Sequence, residues 1–145
     1  MGATVNRTRN LKKKLDRKHL VTALERGGLR ISKRAQEILA ENGSVDTGTL
    51  QDSVTYEVEV SSGGMRLRVG TNVAYAPFVE LGTAPHIIRP KEKAALAGGK
   101  LTHPIKKVDH PGSPPKPFLK PAADQEKAAV LDEVAAAVSR QLEVK

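Results

Sequence analysis

The chain has 145 residues, is 39% hydrophobic, and contains no Cys, no Trp, two Tyr and two Phe. That length suits one domain with one modest core built from Val, Leu, Ile and Ala, and the missing cysteines exclude disulfides, thiol catalysis and Cys-based zinc sites. The net charge of +8 is unevenly spread: residues 1–34 carry eleven Lys/Arg against two acids, 35–84 two against seven, 85–120 eight against two, and 121–145 three against five.

Residues 1–18 are basic and lack a broad apolar face, so they read as an N-terminal arm ahead of a single domain over 19–145. Residues 19–42 read as a helix, because Leu20, Leu24, Gly28, Ile31, Ala35 and Ile38 recur at three- and four-residue steps. Gly27-Gly28 weakens its middle by about 1 kcal/mol per Gly, the mark of a kink or a close helix–sheet contact. Asn42-Gly43 is its expected stop.

Residues 54–60 alternate as a strand, with Val54, Tyr56, Val58 and Val60 on one face and Thr55, Glu57 and Glu59 on the other. Ser61-Ser62-Gly63-Gly64 reads as a hairpin turn, followed by a strand with Met65, Leu67 and Val69 inward and Arg66 and Arg68 outward. Glu57 and Glu59 then face the two arginines, which favours one register. Residues 74–81 suit a short helix with Pro77 in its first turn and Gly82 at its end. Residues 84–116, rich in Pro, Gly, Lys and His, read as a projecting hairpin or arm with strand-like pieces at Ile87-Ile88 and Ile105–Val108. Residues 121–143 form a second helix, with Pro121 at its start and Ala123, Val130, Val134, Ala137, Val138 and Leu142 on its apolar stripe. The expected fold class is α+β: a small antiparallel sheet with two long helices packed on one face and the 84–116 excursion projecting from it.

No apolar run approaches the roughly 18–20 residues of a membrane span, and the polar, basic start is not that of a signal peptide. A soluble protein made in the cytoplasm is expected. Alternating charge blocks suit head-to-tail contacts between copies of one chain, or a basic arm resting on nucleic acid or an acidic protein.

Three segments share a further likeness. In Val45–Ser53, Asp46 and Thr47 are suited to cap a short turn, Gly48 to tight backbone geometry, and Leu50 to plugging that turn into the core. The second segment, Val69–Thr83, holds Tyr75, Pro77, Glu80 and Gly82; the third, Pro117–Ala122, holds Pro117, Phe118, Leu119 and Pro121. Taken in order and at this spacing, with His110-Pro111-Gly112 between the last two, they resemble the gene-product-ten-like family of siphophage neck and tail-completion proteins over roughly residues 20–143.

The resemblance implies a structural virion protein at the joint between capsid and long non-contractile tail. It also implies rings of six, neighbours among head-closure, tail-terminator or tail-tube proteins, and no catalytic or cofactor role. A neck protein and a tail terminator both fit. The partner contacts expected within it are the basic Arg7, Arg9, Lys12, Lys13 and Lys14 of the arm and Arg89, Lys91, Lys93, Lys106 and Lys107 of the excursion.

Rival chemistries find little in the residues. Asp46-Thr47-Gly48 lacks the apolar flanks and second copy of an aspartic protease. Glu80 has no second carboxylate near it in sequence, and reads as a contact to Lys, Arg or backbone donors or as a solvent-facing acid. His86, His103 and His110 neighbour Pro and fit no zinc-ligand spacing. Gly98-Gly99-Lys100 lacks the first Gly and trailing Ser/Thr of a phosphate loop. The alternative function is a basic, non-sequence-specific nucleic-acid-binding protein, but stacking aromatics for base reading are scarce.

Overall fold

The computed structural model describes residues 16–43, 48–89 and 107–143. In chain order they form α1 (Arg17–Glu41), α2 (Thr49–Asp52), β1 (Thr55–Ser61), β2 (Gly64–Gly70), α3 (Ala76–Leu81), β3 (His86–Ile88), β4 (Val108–His110) and α4 (Leu119–Glu143). The fold class is α+β, as the periodicities predict. Two compact units are present: the described residues up to Ala74 together with those from Phe118 onward, and Tyr75–Pro117.

In the first unit, α1 starts two residues earlier than its apolar stripe suggests. Asp16 caps it: its Oδ1 accepts from the Lys18 N–H at 2.9 Å, satisfying a first-turn donor. The helix ends where the Asn42 N–H bonds to Ile38 O at 2.9 Å and Gly43 takes a φ of 61°. Buried Ala23, Gly27, Gly28, Ile31, Ala35, Ile38 and Leu39 form a stripe wide enough for two neighbours.

Those neighbours are α4 and the β1–β2 hairpin, and adjacent glycines divide them. A Cβ on Gly27 would lie 2.7 Å from Val130 Cγ1 of α4. One on Gly28 would lie 2.5 Å from the Tyr56 ring of β1 and 2.9 Å from Leu67 Cδ1 of β2. The pair is therefore a point of close approach on both sides of α1: of the kink or helix–sheet contact expected of Gly27-Gly28, Gly28 makes the second, and Gly27 makes a helix–helix contact besides.

Helices α1 and α4 run antiparallel, because rising positions on one pair with falling positions on the other. Arg26 bonds to Glu133 at 3.4 Å, Arg30 to Glu126 at 2.8 Å, and Arg34 Nε to Gln125 at 2.7 Å. At the far end the Gln141 amide brackets Asp16, accepting from its N–H at 2.5 Å and donating to its carbonyl at 3.2 Å. Exposed ion pairs of this kind contribute tenths of a kcal/mol each, so their effect is to fix register while the apolar contact supplies stability. The same screening applies where Lys120 hydrogen-bonds Asp124 at 2.8 Å and holds that carboxyl below its usual range.

The hairpin has the expected register, with Glu57 opposite Arg68, Glu59 opposite Arg66, and Ser62-Gly63 as its two-residue loop. Tyr56, Val58, Met65, Leu67 and Val69 are half-buried, while Glu57, Arg66 and Arg68 are exposed. Ser53 links the hairpin to α2, its Oγ lying 2.8 Å from Leu50 O and 2.6 Å from Thr71 Oγ1. On α4 the buried positions are Ala122, Val130 and Ala137; Ala123, expected inward, is exposed. Alanines on both sides of the boundary leave the period little contrast there.

One buried side chain is at odds with its surroundings. Ser32 is 5% exposed and its Oγ has no hydrogen-bond partner among the described residues. An unpaired buried hydroxyl is destabilising, and Ala is also the better helix former. Ser32→Ala should therefore raise unfolding stability by about 1 kcal/mol in urea titrations. A fall in stability would mean that the hydroxyl is paired.

The second unit is laced by main-chain bonds. Thr83 and Ser113 exchange backbone bonds at 2.9 and 3.1 Å, and the Lys116 N–H donates to Val79 O at 2.8 Å. Strands β3 and β4 pair antiparallel, His86 opposite His110 and Ile88 opposite Val108. The second strand-like piece thus runs Val108–His110, displaced along the chain from Ile105–Val108, and residues 105–106 lie outside the described residues.

Candidate assembly surface

The Tyr75–Gly82 segment builds an apolar row that faces outward. Pro77, in the first turn of α3, needs no N–H partner there and is set in φ for a helix. The three-residue step from Tyr75 to Phe78 to Leu81 then repeats along one side of the turn. These side chains are 46%, 61% and 75% exposed, and Ile87 on β3 is 50% exposed. Within α3, Ala76 is buried and Glu80 is half-buried.

Gly82 stops α3 with φ 72° and ψ −176°, a conformation restricted to glycine. A Cβ there would meet main chain, 2.5 Å from Ser113 O and 2.8 Å from Pro115 N. Main-chain atoms cannot swing aside as a side chain does. Gly82→Ala should therefore destabilise the Tyr75–Pro117 unit by about 2 kcal/mol, read as faster amide exchange at Thr83 and Ser113. Unchanged exchange at both positions would refute the geometry.

Next to this row, the His86 and His110 rings stack with centroids 5.0 Å apart. Gly112 N–H donates to His110 Nδ1 at 3.0 Å, while His86 Nδ1 faces Ala84 O at 3.0 Å and so must carry the proton. The two rings thus use Nδ1 in opposite roles, as donor on His86 and acceptor on His110. Lys107 is paired with Asp109 at 3.1 Å, and Arg89 is exposed.

The remaining expected positions, Pro117 apart, lie in the first unit or outside the described residues. Gly48 is the left-handed N-cap of α2, with φ 76°, and Leu50 is buried. Phe118 is fully buried, Leu119 and Pro121 are half-buried in the first turn of α4, and Pro117, in the second unit, is exposed. Asp46, Thr47, Arg7, Arg9, Lys12, Lys13, Lys14, Lys91, Lys93 and Lys106 lie outside the described residues. Sequence reasoning missed the outward facing of Phe78 and Leu81, and the Arg26–Arg30–Arg34 ladder. The four-residue spacing of those arginines was the available signal.

A concavity of about 560 Å³ lies between the open ends of α1 and α4, and its lining includes two paired sets of acids and bases, Asp16 with His19 and Arg26 with Glu133. Among the described residues there is no group of three metal-ligating side chains, and no helix is long and apolar enough to cross a membrane.

Residues 4–82 match the sequence profile of a family described as "Bacteriophage HK97-gp10, putative tail-component". That match spans α1, the hairpin and α3. No curated protein and no solved structure matches the chain.

Proposed function

Because this chain belongs to the HK97-gp10-like family of bacteriophage tail components, we propose that it is a structural, non-catalytic virion protein forming a six-membered ring at the head–tail joint. The observation that carries this reading is the family match over residues 4–82. The exposed Tyr75, Phe78 and Leu81 lie inside that match and support it, since contiguous exposed apolar side chains mark protein contact sites. In this role the basic arm over 1–18 and the excursion over 84–116 contact head-closure, tail-terminator or tail-tube proteins. Modest contacts become stable when repeated around a ring.

The test is genetic and structural. Phage deprived of this chain should yield DNA-filled heads and separate tails, and supplying the chain in trans should restore joined particles. Imaging of intact virions should place it in a ring where head meets tail. Infectious, joined particles that lack the chain would refute the proposal.

A further inference from the structure

The β1–β2 sheet has two strands and therefore two outer edges, and neither edge is paired with another strand among the described residues. The edges differ in charge. Tyr56 and Leu67 face α1 at Gly28, so strand alternation puts Glu57, Glu59, Arg66 and Arg68 on the opposite face. One edge strand thus presents two carboxylates and the other two guanidiniums. Within the hairpin, Arg68 pairs diagonally with Glu59 at 3.0 Å. Glu57 and Arg66 are exposed and have no ion-pair partner among the described residues.

We propose that the β2 edge of one copy docks beside the β1 edge of a second copy, with Arg66 against Glu57 of that copy, so that the sheet continues from hairpin to hairpin. The inference rests on the ring reading above and names the surface that joins its protomers. Charge complementarity selects the second copy and the unlike edges. Joining β1 to β1 would gather four carboxylates, and β2 to β2 four guanidiniums, whereas β2 to β1 alternates them. A contact between unlike patches is head-to-tail, the kind that propagates around a ring. Because β1 and β2 run in opposite directions, copies related by rotation about an axis along the strands meet antiparallel. Main-chain hydrogen bonds supply the binding, and the charges choose the partner edge. The competing role for charged residues on an open edge is to keep other strands away, and it predicts the opposite response to substitution.

The experiment uses the full chain and three variants, Glu57→Arg, Arg66→Glu and the double exchange, with folding checked by circular dichroism and self-association measured by sedimentation velocity. The wild type should self-associate. Each single variant, placing like charges across the contact, should associate about tenfold more weakly. An equimolar mixture of the two single variants should recover wild-type association, since Arg66 of one then meets Glu57 of the other and the new Arg meets the new Glu. The double variant should recover it alone. Misfolding cannot produce such rescue.

Single variants that associate as well as the wild type or better, or a mixture that fails to recover, would overturn the edge pairing. So would a wild-type chain that stays monomeric at about millimolar concentration. Persistent oligomers in the single variants reject the edge while leaving the ring reading standing. The ring reading itself fails only on the particle experiment.

Discussion

Replacing Phe118 with alanine is expected to lower unfolding stability by about 3–5 kcal/mol. Of the chain's two Phe residues, one is wholly buried and the other is 61% exposed on α3. Phe118 and Leu39 are the largest fully buried side chains of the described residues, and the rest of the core is aliphatic and rich in Ala. The loss combines the transfer term of the phenyl group with the cavity that it leaves. Against a typical total of about 5–15 kcal/mol, it would remove a large share of the fold's stability. Urea unfolding of Phe118→Ala and Phe78→Ala side by side is the measurement. The Phe78 variant should stay within about 0.5 kcal/mol of the wild type, and equal losses in both would show that Phe118 is not the core anchor.

The second large effect is expected at Gly28. A Cβ there would stand 2.5 Å from Cδ2 and 2.6 Å from Cγ of Tyr56. Cγ lies on the χ2 axis, so turning the ring about χ2 does not clear it; relief needs a change of χ1 that takes the ring off Gly28, or a shift of β1. Gly→Ala in a helix interior gains about 1 kcal/mol of propensity, which offsets part of the clash, and Gly28→Ala should be mildly destabilising. Gly28→Leu adds a whole branched side chain to the same gap and should cost about 3 kcal/mol. Thermal melts would show it as a lowered midpoint, and the loss should shrink when Leu67→Ala opens space beside the new side chain. A Gly28→Leu chain as stable as the wild type would mean that α1 and the hairpin are not held this close.

Much of the first unit was legible because its signals are local. The Val54–Val60 alternation, the Ser62-Gly63 loop and the facing glutamates and arginines were enough to give the hairpin and its register. Asn42-Gly43 was enough to end α1. The roles of Gly27 and Gly28 were only half legible: a glycine pair signals close approach, but that one faces α4 and the other the hairpin depends on tertiary pairing. The inner face of α4 was blurred by alanines at 122 and 123. The position of β4 was set by its partner His86–Ile88 rather than by its own residues.

The candidate surface was the least legible part. Tyr75, Phe78 and Leu81 carry the same apolar character as core residues, and hydrophobic patterning cannot tell a side chain that faces the protein's own interior from one that faces another protein. Glu57 and Arg66 read as partners within one hairpin. Their value for a second copy emerges only once Arg68 and Glu59 are seen to pair and the sheet is seen to stop at two strands.

The antiparallel seam between α1 and α4 also has a temporal consequence. Asp16 and Gln141 are 125 positions apart, and Arg26 and Glu133 are 107 apart. At a synthesis rate of about 5–20 residues per second, α1 and the hairpin are complete roughly 4–15 s before the helix that covers the Ala23–Gly27 side. Closing so long a loop adds little free-energy penalty beyond that of a shorter one, but it must wait for the chain. A product cut short anywhere before α4 would lack the closing helix and leave that side of α1 bare. Completion of this unit therefore waits on translation through α4, whatever the order in which the earlier elements form.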